Sequence, residues 1–131
     1  MVSLAIQVKN HWQNVRADVK RITGQILASK VNRVISKLEE IGSRIETAIN
    51  KAKTAGRNTT QAEAWLAEYR KNLNLAKEKY ENAKAKFASI SNLAEANALF
   101  NQGTAFIREA NQYLKQAHKN LKDIVSELRR P

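Results

Sequence analysis

Leu93, Ala96, Phe100, Gly103, Ile107, Ala110, Leu114, Ala117, Leu121, Ile124 and Leu128 follow one another at unbroken three-four spacing, and for most of the run large side chains alternate with Ala or Gly. That spacing puts every one of them on a single stripe of an α-helix, and small residues at alternate positions let a second helix approach closely. A β-strand cannot use the pattern, because its faces alternate every second residue. The chain is therefore expected to be built on long helices packed side by side.

Composition agrees. The 131 residues suit one domain with a core of its own. Proline occurs only as Pro131 and glycine only as Gly24, Gly42, Gly56 and Gly103, so few residues interrupt a helix. There is no cysteine, which excludes disulfides, thiolate zinc sites and a cysteine nucleophile. No stretch reaches the roughly 20 apolar residues of a membrane span, and Met1 to Val8 shows no basic segment leading into a long apolar one, so no signal peptide is visible and the expectation is either a cytoplasmic protein or a mature fragment of an exported one.

Two breaks divide the helices. At Thr54 to Thr60, Gly56 suits the left-handed end of a helix, and Thr60 stands three residues before Glu63 as in a capping box. At Ser89 to Asn92, Asn92 stands three before Glu95 and offers the same kind of start. Connections this short make neighbouring helices antiparallel. The middle helix carries Leu66, Tyr69, Leu73, Ala76, Tyr80, Ala83 and Phe87 on one stripe, with Trp65 closing the end near the first loop. Upstream, Leu27, Val31, Val34, Leu38, Ile41, Ile45, Ala48 and Ala52 form a third stripe. The expectation is an all-α, antiparallel three-helix bundle, up-down-up, over residues 25–131, with helices at about 25–54, 61–88 and 93–129. Residues 1–24 form an amphipathic helix with a stripe of its own, Val8, Trp12, Val15, Val19, Ile22 and Ile26. This segment either extends the first helix past the Ser89 to Asn92 loop or bends at Gly24 and packs as a fourth helix.

Charge gives the sharpest functional hint. The net charge is +11, and residues 1–37 hold Lys9, Arg16, Lys20, Arg21, Lys30, Arg33 and Lys37 against Asp18 alone. Cations beside an apolar stripe bearing Trp12 suit a helix laid along an acidic partner, or an anionic membrane surface, or nucleic acid; the plainer reading is a solvated face opposite a bundle seam. Catalytic and metal chemistry lack residues. His11 and His118 have no His, Asp or Glu three or four residues away, and the adjacent Glu39 and Glu40 diverge by about 100° on a helix. The aromatic residues Tyr69, Tyr80, Phe87 and Phe100 fall on the seams, so they read as core rather than as a stacking platform. Asn58-Thr59-Thr60 matches a glycosylation acceptor, but turn and cap chemistry already accounts for it.

The block from Val31 to Leu75 includes Val31-Asn32-Arg33-Val34-Ile35-Ser36-Lys37-Leu38-Glu39-Glu40-Ile41, then Arg44-Ile45-Glu46, the Thr54 to Thr60 loop and Ala62-Glu63-Ala64-Trp65-Leu66-Ala67. It resembles Ala/Lys/Glu-rich helical-hairpin proteins of unknown function predicted in candidate-phylum bacteria and some archaea, many of them exported. The resemblance covers about a third of the chain, implies a helical hairpin and brings no functional residues with it. The chain departs from those proteins in its basic Trp12 helix and in showing no evident signal segment.

The expected function is a non-enzymatic interaction or assembly module that needs no cofactor, metal or small-molecule substrate. It would bury the face of Val8, Trp12, Val15, Val19 and Ile22 against a second copy, as a homo-oligomer, or against a partner helix. The alternative is a monomer that binds nucleic acid or anionic lipid through the seven cations.

Overall fold

The computed structural model describes residues 4–130. Met1 to Ser3 and Pro131 lie outside the described residues, and with them the first part of the Met1 to Val8 stretch. Among the described residues there are three helices and no strands: α1 (Leu4–Thr54), α2 (Thr60–Ala88) and α3 (Leu93–Leu128). α1 runs unbroken through Gly24 for 51 residues, about 76 Å at 1.5 Å per residue, so residues 4–24 are continuous with the helix that follows.

The loops follow local chemistry. Gly56 takes φ 87°, which relieves the end of α1 at a position where any side chain would be strained. The cap of α2 sits one residue earlier than expected: Thr59 precedes the helix, its hydroxyl donates to the Glu63 carboxylate, and the Asn58 side chain accepts from the Thr60 amide. At the second loop the Asn92 side chain accepts from the Glu95 amide at 3.1 Å, as the spacing predicts.

Lateral contacts tie the three helices together. Lys53 meets Glu63, Glu46 meets Arg70, the Tyr69 hydroxyl donates to the Leu38 carbonyl, Gly24 lies against Phe87 and Arg21 reaches the Ile90 carbonyl. Between α2 and α3, Asn72 bonds Asn120, Lys79 pairs with Glu109 and the Phe87 ring lies tilted against Phe100. Arg57 in the first loop donates to the carbonyls of Glu127, Leu128 and Arg130, tying that loop to the end of α3.

The seams of α2 and α3 are core along their whole length; every residue read onto them is buried or half-buried. α1 differs. Its buried positions are Ala17, Gly24, Ala28, Val31, Ile35, Gly42 and Ile49, with Leu38 and Ile45 partly covered, whereas Val34, read as a seam residue, is 45% exposed. The core stripe of α1 lies about one residue round from the expected one because small residues carry it. Gly24 and Gly42 are 18 residues apart, about five whole turns at 3.6 residues per turn, so both face inward. The Phe87 ring fills the space at Gly24 and Gly103, and the Tyr69 ring abuts Gly42.

Candidate interaction surface

Turning α1 so that Ala17, Gly24, Ala28 and Ile35 face α2 and α3 turns the stripe Val8, Trp12, Val15, Val19, Ile22 and Ile26 outward, about 170° away at 100° per residue. The structure brings these six residues together on one line. Val15 is half-covered and the others are exposed, Trp12 at 57% and Val19 at 56%. Polar residues stand on both sides of the line, Lys9, Arg16 and Thr23 along one edge and His11, Asp18 and Gln25 along the other. The stripe is therefore narrow, two positions per seven residues, which is the width of a helix-helix seam. The N-terminal end of α1 passes beside the start of α3, where Trp12, Val15, Val19, Leu93 and Asn97 border a shallow groove.

The seven cations of the basic region do not form one patch. Lys20 and Arg21 are half-buried and used inside the fold: the Lys20 ammonium sits 5.0 Å from the centre of the Phe100 ring, and Arg21 pairs with Asp18 at 2.9 Å while reaching the Ile90 carbonyl. Lys9, Arg16, Lys30, Arg33 and Lys37 are exposed and make no ion pair among the described residues. With Trp12, Val19 and Ile26 as the a positions of a heptad and Val8, Val15 and Ile22 as the d positions, Lys9, Arg16, Lys30 and Lys37 all fall on e, separated by multiples of seven residues, with Thr23 between them. The facing g positions are His11, Asp18, Gln25 and Asn32. This heptad row was legible in the sequence, but counting cations over 1–37 hid it; their spacing reveals it. Arg33 occupies the next a position after Ile26, so the apolar line ends in a cation.

A second feature was not anticipated. Between α1 and α3 a groove of about 860 Å³ has Val34, Leu38 and Leu114 along its floor and Arg108, Lys115, His118, Lys119 and Lys122 along its α3 side. Lys30 and Lys37, one turn to either side of Val34, place the end of the e row beside it. His118 is exposed there, and His11 is exposed with its ring edge-on to Trp12 at 6.0 Å. Among the described residues no three His, Asp or Glu side chains converge. The groove and the stripe share one chemistry, apolar surface bordered by unneutralised positive charge.

No protein family, curated protein or solved structure matches the chain. Among the described residues no helix is long and apolar enough to cross a membrane.

Two titrating groups carry distinct environments, both away from this face. Burial pushes the Tyr69 hydroxyl up to about 12, with the Glu39 charge adding to the effect. Lys79 is raised by its hydrogen bond to, and charge attraction with, Glu109. Both groups bridge neighbouring helices, Tyr69 to Leu38 of α1 and Lys79 to Glu109 of α3.

Proposed function

We propose that the chain is a non-enzymatic binding module, an antiparallel up-down-up three-helix bundle whose outer α1 face docks another helix. One observation carries this reading: six apolar residues at seam spacing lie on the side of α1 opposite the core. Large apolar side chains in a contiguous line mark an interaction surface more often than a solvated one. About half of each side chain is still exposed, so burying Val8, Trp12, Val19, Ile22 and Ile26 contributes roughly 0.8–1.5 kcal/mol apiece before association and ordering costs. That is enough for a modest complex.

Val19→Asp/Ile22→Asp tests the reading, because both residues are exposed and neither contributes to the core. Light scattering of the wild-type chain at low and high salt reports self-association. A multimer at both salts that becomes a monomer in the double variant makes the stripe a self-assembly face. A multimer that the double variant leaves intact refutes the use of the stripe.

The five exposed, unpaired cations favour a second reading, a monomer that binds a polyanion. Phosphate binding weakens steeply as salt rises, whereas an apolar seam holds or tightens, so the same salt series separates the two.

A further inference from the structure

We infer that the occupant of the α1 face is an α-helix of another protein with an apolar stripe and with Asp or Glu at seven-residue spacing along one edge. This rests on the docking role proposed for the stripe and names what docks there. Residues at e and g flank a helix seam and choose the partner through charge. Here the e row is Lys9, Arg16, Lys30 and Lys37, about 10.5 Å apart per heptad at 1.5 Å per residue, and none of them makes an ion pair among the described residues. A partner helix has the same rise, so carboxylates at seven-residue spacing meet Lys9 and Arg16 beside the stripe and, past Thr23, Lys30 and Lys37 beyond its apolar end.

A second copy fits less well in either direction. Antiparallel copies related by a two-fold axis set the same edges together, so Lys9, Arg16, Lys30 and Lys37 face an identical cationic edge. Parallel copies set e against g, where His11, Asp18, Gln25 and Asn32 offer one carboxylate, already paired with Arg21, and they stack Arg33 on Arg33. Opposite charge on the partner removes both conflicts. A membrane fits less well too: an interfacial helix exposes a broad apolar face, and this stripe is two positions wide with polar residues on both sides. The basic wall of Arg108, Lys115, Lys119 and Lys122 beside Val34 and Leu38 adds further positive charge where the e row ends.

The test uses the full chain and two labelled 35-residue helical peptides with identical composition, apolar residues at a and d and five Glu residues each. In one the Glu residues occupy a single edge at seven-residue spacing; in the other they sit on the outward face, with Gln at the edges. Fluorescence anisotropy at nanomolar peptide is expected to give at least tenfold tighter binding for the edge-Glu peptide. That difference is expected to vanish in Lys9→Gln/Arg16→Gln/Lys30→Gln/Lys37→Gln, whose exposed substitutions leave the helical circular dichroism and melting temperature unchanged. Equal affinity for the two peptides, with both lost in Val19→Asp/Ile22→Asp, overturns the charge register and leaves the docking stripe standing. Binding that survives Val19→Asp/Ile22→Asp, or no binding of either peptide, overturns both. Tighter binding of a 20-base-pair DNA duplex or of phosphatidylserine vesicles than of the edge-Glu peptide overturns the choice of occupant.

Discussion

Phe87 sits with its ring between two glycines from two other helices, and this arrangement predicts a reversal of sign. A Cβ on Gly24 would stand 2.1 Å from Phe87 Cδ1 and 2.4 Å from Cγ, while a Cβ on Gly103 would stand 2.4 Å from Cε1. Carbon atoms pack at about 3.5–4.0 Å, so the ring must move by more than about 1 Å to admit either methyl group. It has nowhere to go: Phe87 is fully buried, and moving away from one glycine drives it toward the other helix. Gly24→Ala in an exposed helix would stabilise by about 1 kcal/mol through propensity. Overpacking costs about 1–3 kcal/mol, and the clamp sets this case at the upper end, for a net loss of about 1–2 kcal/mol. In a Phe87→Ala background the obstruction is gone, so the same substitution returns to a gain of up to about 1 kcal/mol, a coupling of about 2–3 kcal/mol. Urea denaturation of the four proteins, with m-values compared to check that each unfolds as a comparable unit, measures the cycle. Stabilisation of the wild-type chain by Gly24→Ala, or equal effects in both backgrounds within about 0.5 kcal/mol, refutes the reasoning.

Other interactions give sharper local tests. The Asn72 amide donates to the Asn120 side chain at 2.9 Å with both residues buried, so Asn120→Leu leaves an unmatched polar group and costs about 1–3 kcal/mol, while Asn72→Leu/Asn120→Leu recovers most of the loss in thermal melts. The folded chain holds the Tyr69 hydroxyl protonated up to about 12, above its ordinary value of 10.0, so the unfolded state ionises first and stability falls as pH rises from 10 to 12. Two pH units correspond to a loss of up to about 2.7 kcal/mol, and Tyr69→Phe, although less stable at pH 7 through the lost bond to Leu38, is expected to show a shallower decline across that window. Arg57→Ala removes the donors to three carbonyls at the end of α3, and amide exchange over residues 124–128 is expected to accelerate while the middle of α2 stays protected.

How much of this was legible in the sequence depended on which residues carried each stripe. In α2 and α3 one line of mixed large and small residues serves as the core, and spacing alone locates it: Leu66 to Phe87 and Leu93 to Leu128 all pack inward. α1 carries two lines about 170° apart, and following the large residues leads from Val8 and Trp12 to Leu27 and Val34 while passing over Ala28, Ile35 and Ile49. The correcting signal was present in Gly24 and Gly42, each a poor helix former retained inside a long helix and separated by whole turns. The buried Asn72 and Asn120 were not legible, because polar residues on a helix are ordinarily solvated and only the facing helix supplies the partner. At the candidate surface the apolar stripe was fully legible, but the cations required knowledge of the fold: Lys20 and Arg21 face Phe100 and the Ile90 carbonyl, and only the remainder stay available.

The division of labour in the first half of α1 links these observations. Ala17, Gly24 and Ala28 face the bundle and let α1 lie close against α2, whose Phe87 supplies the bulk there. Trp12, Val19, Ile22 and Ile26, which would stabilise a core more than those small residues, face away from it. A lone bundle selected for stability and solubility would place polar groups on that outer line, since exposed apolar side chains there add nothing to folding and promote nonspecific association. Under the docking role proposed above, the e-row cations disfavour pairing with another copy and, making no ion pair among the described residues, are available to select an acidic one. From Ala17 onward α1 is packed along one side by small residues and presents large ones on the other, so in the docking role proposed above a partner meets a helix already formed, which lowers the ordering cost of binding.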